Sequence, residues 1–255
     1  MATGQSDESS RADGQDIHNL VQSVVTAGQK IHLPFIAASA DIGDPSPMCG
    51  PDGKPYAGDV FKWFDPDLDY WNDRTFALRS GFIQAARICS EPMYYDGTTL
   101  KSWRPIEALE VFNQNAEYET FGVKAAIVCP CHMPFGVLGV IVWATNEDLP
   151  DIADIFDQNA ERLHILTLKL LSSYRDSATV TTPTETRDLT RREIQCLRWA
   201  ALGKTDNEIG TIMGVSVPTV RFHLVNAGKK FGVHGRAQAV RVATSLGYIG
   251  GRKSA

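Results

Sequence analysis

The chain has 255 residues, 43% of them apolar and 22% charged, with a formal net charge of −5. That length suits one sensor-sized domain plus a small module, and no apolar run is long enough to span a bilayer. The charge is unevenly placed, net +7 over residues 184–255 and net −12 over residues 1–183, so the tail suits a phosphate backbone and the front repels one.

The start, MATGQSDESSRADGQD, is polar and acidic. It resembles neither a secretory signal nor a transit peptide, and residues 1–15 are expected to be disordered. Five cysteines at 49, 89, 129, 131 and 196 are an odd number without a dense framework. They predict reduced thiols and a cytoplasmic protein.

Residues 16–29 carry Ile17, Leu20, Val21, Val24 and Val25 at helical spacing, and residues 31–38 read as a strand. Residues 43–60, rich in Pro and Gly, are expected to form a loop. Helical periodicity resumes over residues 67–86 through Leu68, Trp71, Phe76, Leu78 and Phe82, and again over residues 106–119. Two apolar runs, GVKAAIVCP and GVLGVIVWA, stand on either side of Cys131-His132-Met133-Pro134-Phe135. They predict adjacent antiparallel strands joined by a turn. A long helix over residues 150–174 has more apolar residues than one stripe needs, so one face is assigned to the sheet and another to a second subunit. Residues 176–187, with five threonines and Pro183, are the expected linker.

From Leu189 onward the start and stop signals for short helices come close together. Thr190 with Glu193 and Thr205 with Glu208 are capping boxes, and Ser216 followed by Pro218 marks a third start. Gly203, Gly214 and Gly232 stand where helices would end on a left-handed residue. Four helices follow, over about 190–202, 205–213, 217–231 and 236–246. The second and third read as a helix-turn-helix. In the third, Val220, Leu224, Ala227 and Phe231 share the inner face, leaving Arg221, Phe222 and Val225 outward. Arg221 is suited to guanine O6 and N7, and apolar neighbours to a thymine methyl. Lys204, Thr205, Thr219, His223, Lys229 and Lys230 are assigned to phosphates. A plain helical bundle with a solvated basic face is the competing reading, disfavoured because caps, glycines, spacing and charge agree.

These residues resemble the C-terminal DNA-binding domain of LuxR-type bacterial transcriptional regulators over its full length. Leu189, Glu193, Leu197, Gly203-Lys204-Thr205, Glu208-Ile209, Thr219-Val220, His223-Leu224, Lys230 and Arg236 carry the likeness. The resemblance implies binding as a homodimer to an inverted-repeat promoter site in double-stranded DNA, with RNA polymerase as a further partner.

The expected architecture is therefore an α/β N-terminal domain, an α–β–α sandwich with an antiparallel sheet at 16–175. The linker at 176–187 and an all-α four-helix helix-turn-helix domain at 188–250 follow. A phosphorylatable receiver is set aside, because no Asp ends a convincing apolar strand. A weaker resemblance to autoinducer-binding domains puts Leu78 and Phe82 where that family has a hydrogen-bonding Trp and Tyr. It also puts Glu91-Pro92 at its Asp-Pro, Trp103 at its second Trp and Gly122 at its Gly. Leu and Phe cannot donate to a ligand's carbonyls, and each carbonyl left unpaired in an apolar pocket costs about 1–3 kcal/mol. An ordinary acyl-homoserine lactone therefore fits poorly. A small apolar ligand bounded by Leu78, Phe82, Glu91 and Trp103 remains open, as does a ligand-independent dimerisation or interaction module.

Cys129-Pro130-Cys131-His132 supplies three metal-ligand types but lacks a fourth nearby, so no metal is expected. No nucleophile elbow, phosphate loop or His-Glu-x-x-His pattern occurs. Neither catalysis nor a cofactor is expected.

Overall fold

The structure, a computed structural model, describes residues 5–44, 46–65, 75–115, 119–178 and 189–250. It forms two compact units that divide near residue 180. In the first, α1 (Gln5–Lys30) leads into β1 (Phe35–Ser39), a one-turn α2 (Tyr56–Asp59), α3 (Phe76–Arg79) and α4 (Gly81–Ile88). The chain continues through β2 (Met93–Tyr95), β3 (Leu100–Lys101), α5 (Glu107–Asn115), β4 (Ala125–Met133), β5 (Val137–Thr145) and α6 (Ile152–Ala178).

The two long apolar runs of the sequence form β4 and β5, paired antiparallel from Ala125 opposite Thr145 to Met133 opposite Val137. They are central strands in the order β1-β5-β4-β2-β3, and each pair of neighbouring strands in this sheet is antiparallel. Both are buried along most of their length, which is why they read as continuous apolar runs rather than as alternating ones. The helices divide between the two faces. Ile127, Cys129, Cys131, Ile141 and Trp143 join Val21, Val24, Phe156, Leu163 and Leu170 of α1 and α6 in one core. Ala126, Val128, Val140 and Val142 join Phe82, Ile83, Met93, Leu100 and Leu109 in another.

Trp143 fixes α1 to the sheet. Its ring is fully buried, and Nε1 donates to the Val24 carbonyl at 3.0 Å. Gly28 makes the fit possible, since a Cβ there would stand 2.7 Å from Trp143 Cδ1 and 2.5 Å from the Leu33 carbonyl oxygen. Across the sheet edge, β3 is closed by a side chain. The Asn113 carboxamide accepts from Leu100 N at 3.1 Å and donates to Leu100 O at 2.7 Å, occupying groups that another strand would pair with.

Several expectations are corrected. Residues 5–15, expected to be disordered, continue α1 as helix, because adding residues to an existing helix avoids the cost of nucleation. β1 starts at Phe35, since Ile31 and Leu33 instead close the end of α1, where His32 has φ of 62° and Leu33 N donates to Gly28 O at 2.9 Å. The turn between β4 and β5 is only Pro134–Gly136. Cys131, His132 and Met133 stay in register. Residues 67–74 of one expected helix and 116–118 of another lie outside the described residues. Asp176, Ser177 and Ala178, assigned to the linker, belong to α6, and 179–187 lie outside the described residues.

Alternation also disposes of the Cys-His cluster. Cys129 and Cys131 share one core, while His132 Nε2 lies 3.1 Å from Ala86 O of α4. Burial pushes both thiols up, which suppresses the thiolate that metal binding or redox chemistry requires. Among the described residues no cluster of three or more His, Cys, Asp or Glu could hold a metal ion, and no helix is long and apolar enough to cross a membrane.

The second unit contains α7 (Arg191–Ala201), α8 (Asp206–Met213), α9 (Val217–Lys230) and α10 (Arg236–Ser245). Each starts and stops within one residue of its sequence-based limits. Cys196, Leu197, Ile209, Val220, Leu224, Ala227, Ala239 and Ala243 form its core.

Candidate nucleic-acid interface and front-unit site

The helix ends dictate how α8 and α9 meet. Thr205 caps α8, accepting from Glu208 N at 3.3 Å, and Glu208 Oε2 accepts from Thr205 N at 2.8 Å. The Thr205 N–H and Lys204 ammonium hold the Glu208 carboxyl at about 2. Gly214 ends α8 at φ 65°, a conformation that costs a residue with a Cβ. Val215 N then reaches back to Gly210 O at 3.0 Å, closing the six-residue helix stop. Ser216 caps α9, with Pro218 in its first turn. Gly210 lets the turn close, since a Cβ there would meet Val215 O at 2.8 Å.

With its ends fixed, α9 buries Val220, Leu224, Ala227 and Gly228. Arg221, Phe222, Val225 and Lys229 are exposed, Phe222 to 61% and Val225 to 54%. Two large apolar side chains flanking an arginine, turned to solvent on a helix whose other face is core, suit a base edge better than water. Half-buried His223 sets its ring 5.7 Å from that of Phe222.

The remaining residues assigned to phosphates differ. Thr205 and Thr219 are engaged at helix starts, the Thr219 hydroxyl 2.7 Å from that of Ser216. Lys204 Nζ lies 3.1 Å from Glu208 Oε1 in an exposed pair, which is easily exchanged for a phosphate. Lys230 is different. Its Nζ pairs with Glu193 Oε2 at 2.8 Å, the side chains being 25% and 4% exposed. This ion pair ties α9 to the start of α7, where the same carboxylate also caps Thr190 N at 2.7 Å. Lys230 is thereby tied into the fold, because the buried carboxylate would be left uncompensated without it. Sequence spacing missed Asp206, which lies 3.1 Å from Arg221 through Oδ2 and pairs with Arg236 through Oδ1. Only the packing of three helices brings its partners together.

In the front unit the four residues of the expected pocket do not share one face. Leu78 is 67% exposed in α3, whereas Phe82 is 4% exposed in α4, with its ring edge-on to Tyr95 at 5.5 Å. Their spacing of four implies one helical face only in an unbroken helix. Ser80, with φ −65° and ψ 120°, breaks it. Glu91 pairs with Arg104 through Oε1, and its buried Oε2 has no hydrogen-bond partner among the described residues. Trp103 is half exposed and lines a cleft of about 380 Å³ with Tyr94, Ser102, Arg104, Ile106 and Glu110. Gly122 has φ 79° and comes against Phe64, ahead of β4.

The Glu193 pair makes a pH-dependent prediction. Burial raises the Glu193 pKa, but Lys230 and the Thr190 N–H outweigh it, and the net shift is downward. A depressed carboxylate stabilises the fold above its unfolded value of about 4.3 and ceases to as pH falls through the lower folded value. Glu193→Gln is expected to cost about 2 kcal/mol at pH 7, less than a fully buried pair because Lys230 is partly solvated. Denaturant titrations of the two proteins should converge as pH drops below 4.3; a gap that persisted unchanged at pH 3 would contradict the assignment.

Residues 187–243 match the family model described as bacterial regulatory proteins, luxR family. The transcriptional activator protein VanR of Vibrio anguillarum is 36% identical over 132 residues, 50% of this chain and 53% of VanR. LuxR of Aliivibrio fischeri is 28% identical over 176 residues, 61% of this chain and 70% of LuxR. AhyR of Aeromonas hydrophila is 30% identical over 172 residues, 66% of this chain and 64% of AhyR. The chain thus spans about half of VanR and just under two thirds of AhyR. Among solved structures, SdiA in complex with octanoyl-rac-glycerol is 17% identical, covers 99% of this chain and 100% of SdiA, and has a TM-score of 0.47. The C-terminal unit, with its capped helix-turn-helix, belongs to the luxR family of bacterial regulatory proteins.

Proposed function

We propose that the chain is a homodimeric, sequence-specific DNA-binding regulator of transcription, acting in the bacterial cytoplasm and gated by a small apolar ligand in its N-terminal unit. The observation that carries the DNA-reading part is α9. Its inner face is core, and its outer face offers Arg221, Phe222 and Val225 to solvent. The net +7 of residues 184–255 supplies the phosphate attraction that base reading needs. RNA polymerase is the partner through which such a regulator acts on a promoter. Arg221→Ala is expected to lower discrimination at one base pair by about 1–3 kcal/mol, while a phosphate contact would weaken all sequences alike. Competition binding between the selected site and its single-base variants measures this; unchanged discrimination would place the recognition face elsewhere.

The dimer reading rests on α6, where Ile165 and Leu168 are 55% and 51% exposed beside the buried Leu163 and Leu170. Two large aliphatics in water on one long helix suit a self-complementary contact. The double substitution Ile165→Glu with Leu168→Glu should shift sedimentation of the full chain from dimer to monomer. A variant that stayed dimeric would move the interface to another surface.

Ligand gating rests on Glu91. A buried carboxylate oxygen without a partner costs free energy, and an N–H or O–H of a bound molecule would recover it. The second reading, a front unit that works without ligand, draws on Phe82, which is packed into the core, and Leu78, which faces water. Thermal unfolding against a panel of acyl-homoserine lactones and other small apolar or aromatic compounds separates the two. A ligand at a hundred times its Kd adds about 2.7 kcal/mol, several degrees for a chain of this size. No shift with any compound, in protein free of bound molecules and competent for DNA, would favour the ligand-independent regulator.

A further inference from the structure

Asp206 opens α8, and its carboxylate faces two arginines from other helices. Oδ2 accepts from Arg221 Nε at 3.1 Å, across fifteen residues of sequence. Oδ1 accepts from Arg236 at the start of α10, and Arg236 also donates to the Lys204 carbonyl. The Asp206 side chain is 23% exposed and that of Arg221 69%. Both line a surface cleft of about 510 Å³ with Lys204, Asn207, Val217 and Arg236. Arg221 is thus held at its inner nitrogen by an anchored acid while most of its side chain stays in solvent.

We propose that Asp206 is a positioning residue that makes Arg221 a reader of a guanine edge rather than a phosphate contact. This inference rests on the DNA-binding function proposed above. A guanidinium has five N–H donors in a fixed fork. Engaging Nε leaves the two terminal amino groups for a bidentate acceptor such as guanine O6 and N7. The acid also discriminates by charge. A phosphate approaching Arg221 meets the Asp206 carboxylate and is repelled, whereas the edge of a guanine is neutral and is not. Selectivity of this kind depends as much on the element that opposes the wrong partner as on the one that attracts the right one.

The test is selection from a randomised duplex library by the full-length protein and by Arg221→Ala, Asp206→Asn and Arg236→Gln. Wild type is expected to enrich a site containing a guanine whose preference is lost in Arg221→Ala. Asp206→Asn should reduce that preference about tenfold while binding unselected DNA as tightly as wild type or tighter, with a steeper dependence on salt because one acid has gone. Arg236→Gln, which removes the other half of the carboxylate's pairing, should keep the guanine preference. Loss there equal to that in Asp206→Asn would make the effect one of the fold and overturn the proposal. If Asp206→Asn does not fold, Arg221→Lys replaces it. A lysine is a point charge that cannot hold the acid and grip a base in fork geometry, so unselected binding should persist and guanine preference vanish. Retained guanine preference in either Asp206→Asn or Arg221→Lys overturns the positioning role and leaves DNA reading by α9 standing. Failure of wild type to enrich any site overturns both.

Discussion

The C-terminal unit depends on how its helix ends are satisfied. Every helix leaves several backbone N–H groups at its start and C=O groups at its end without internal partners. A module of four helices, each of 8 to 14 residues, has a large share of its backbone in such ends. Thr190, Thr205 and Ser216 supply the missing acceptors within their own first turns. Gly203, Gly214 and Gly232 reverse the chain at the other ends with positive φ. Once these are met the helices have almost no freedom in length, and the direction of each exposed face follows. Arg221, Phe222 and Val225 are outward because Ser216 and Gly214 fix where α9 starts.

This is also why the C-terminal unit was so legible in the sequence. Caps, left-handed stops and helical spacing act over three to six residues, so a local reading captures them. What a local reading cannot capture is pairing across the fold. Lys230 looked like another cation on a basic helix, yet Glu193 is 37 residues away in sequence and holds it at 2.8 Å. Asp206 gave no signal of its own in the sequence, yet it has arginine partners on two other helices. Charge type is visible in a sequence, but whether a charge is spent inside the fold or available outside it depends on tertiary neighbours.

The front unit shows the complementary limit. β4, β5 and α6 were readable because burial on both faces or a long apolar stripe writes a strong pattern. β2 and β3 were not, having three and two residues, too few for any period to register. The site suffered for a related reason. Leu78 and Phe82 were grouped by a spacing that presumes continuous helix, and one extended residue at Ser80 is enough to send them to solvent and core. Glu91 and Trp103 depend on turns around those short strands, where side-chain direction follows from contacts with Arg104 and Phe156.

The asymmetry between the two faces of the sheet bears on where regulation can act. One face is covered by α1 and α6, of 26 and 27 residues, with Trp143 bonded to the α1 backbone and Leu171 Cδ1 close upon Gly139. The other is covered by α4 and α5, of eight and nine residues. Helices that short have little stability of their own and take it from what they pack against. On that face Phe82, Met93 and Leu100 therefore do for the short helices what a bound apolar molecule would do, and a ligand there would become part of the core that orders them. A molecule bound to the α1 and α6 face would find a layer already ordered by its own packing and could shift little. On the side of Phe82 order is least secured by the chain itself.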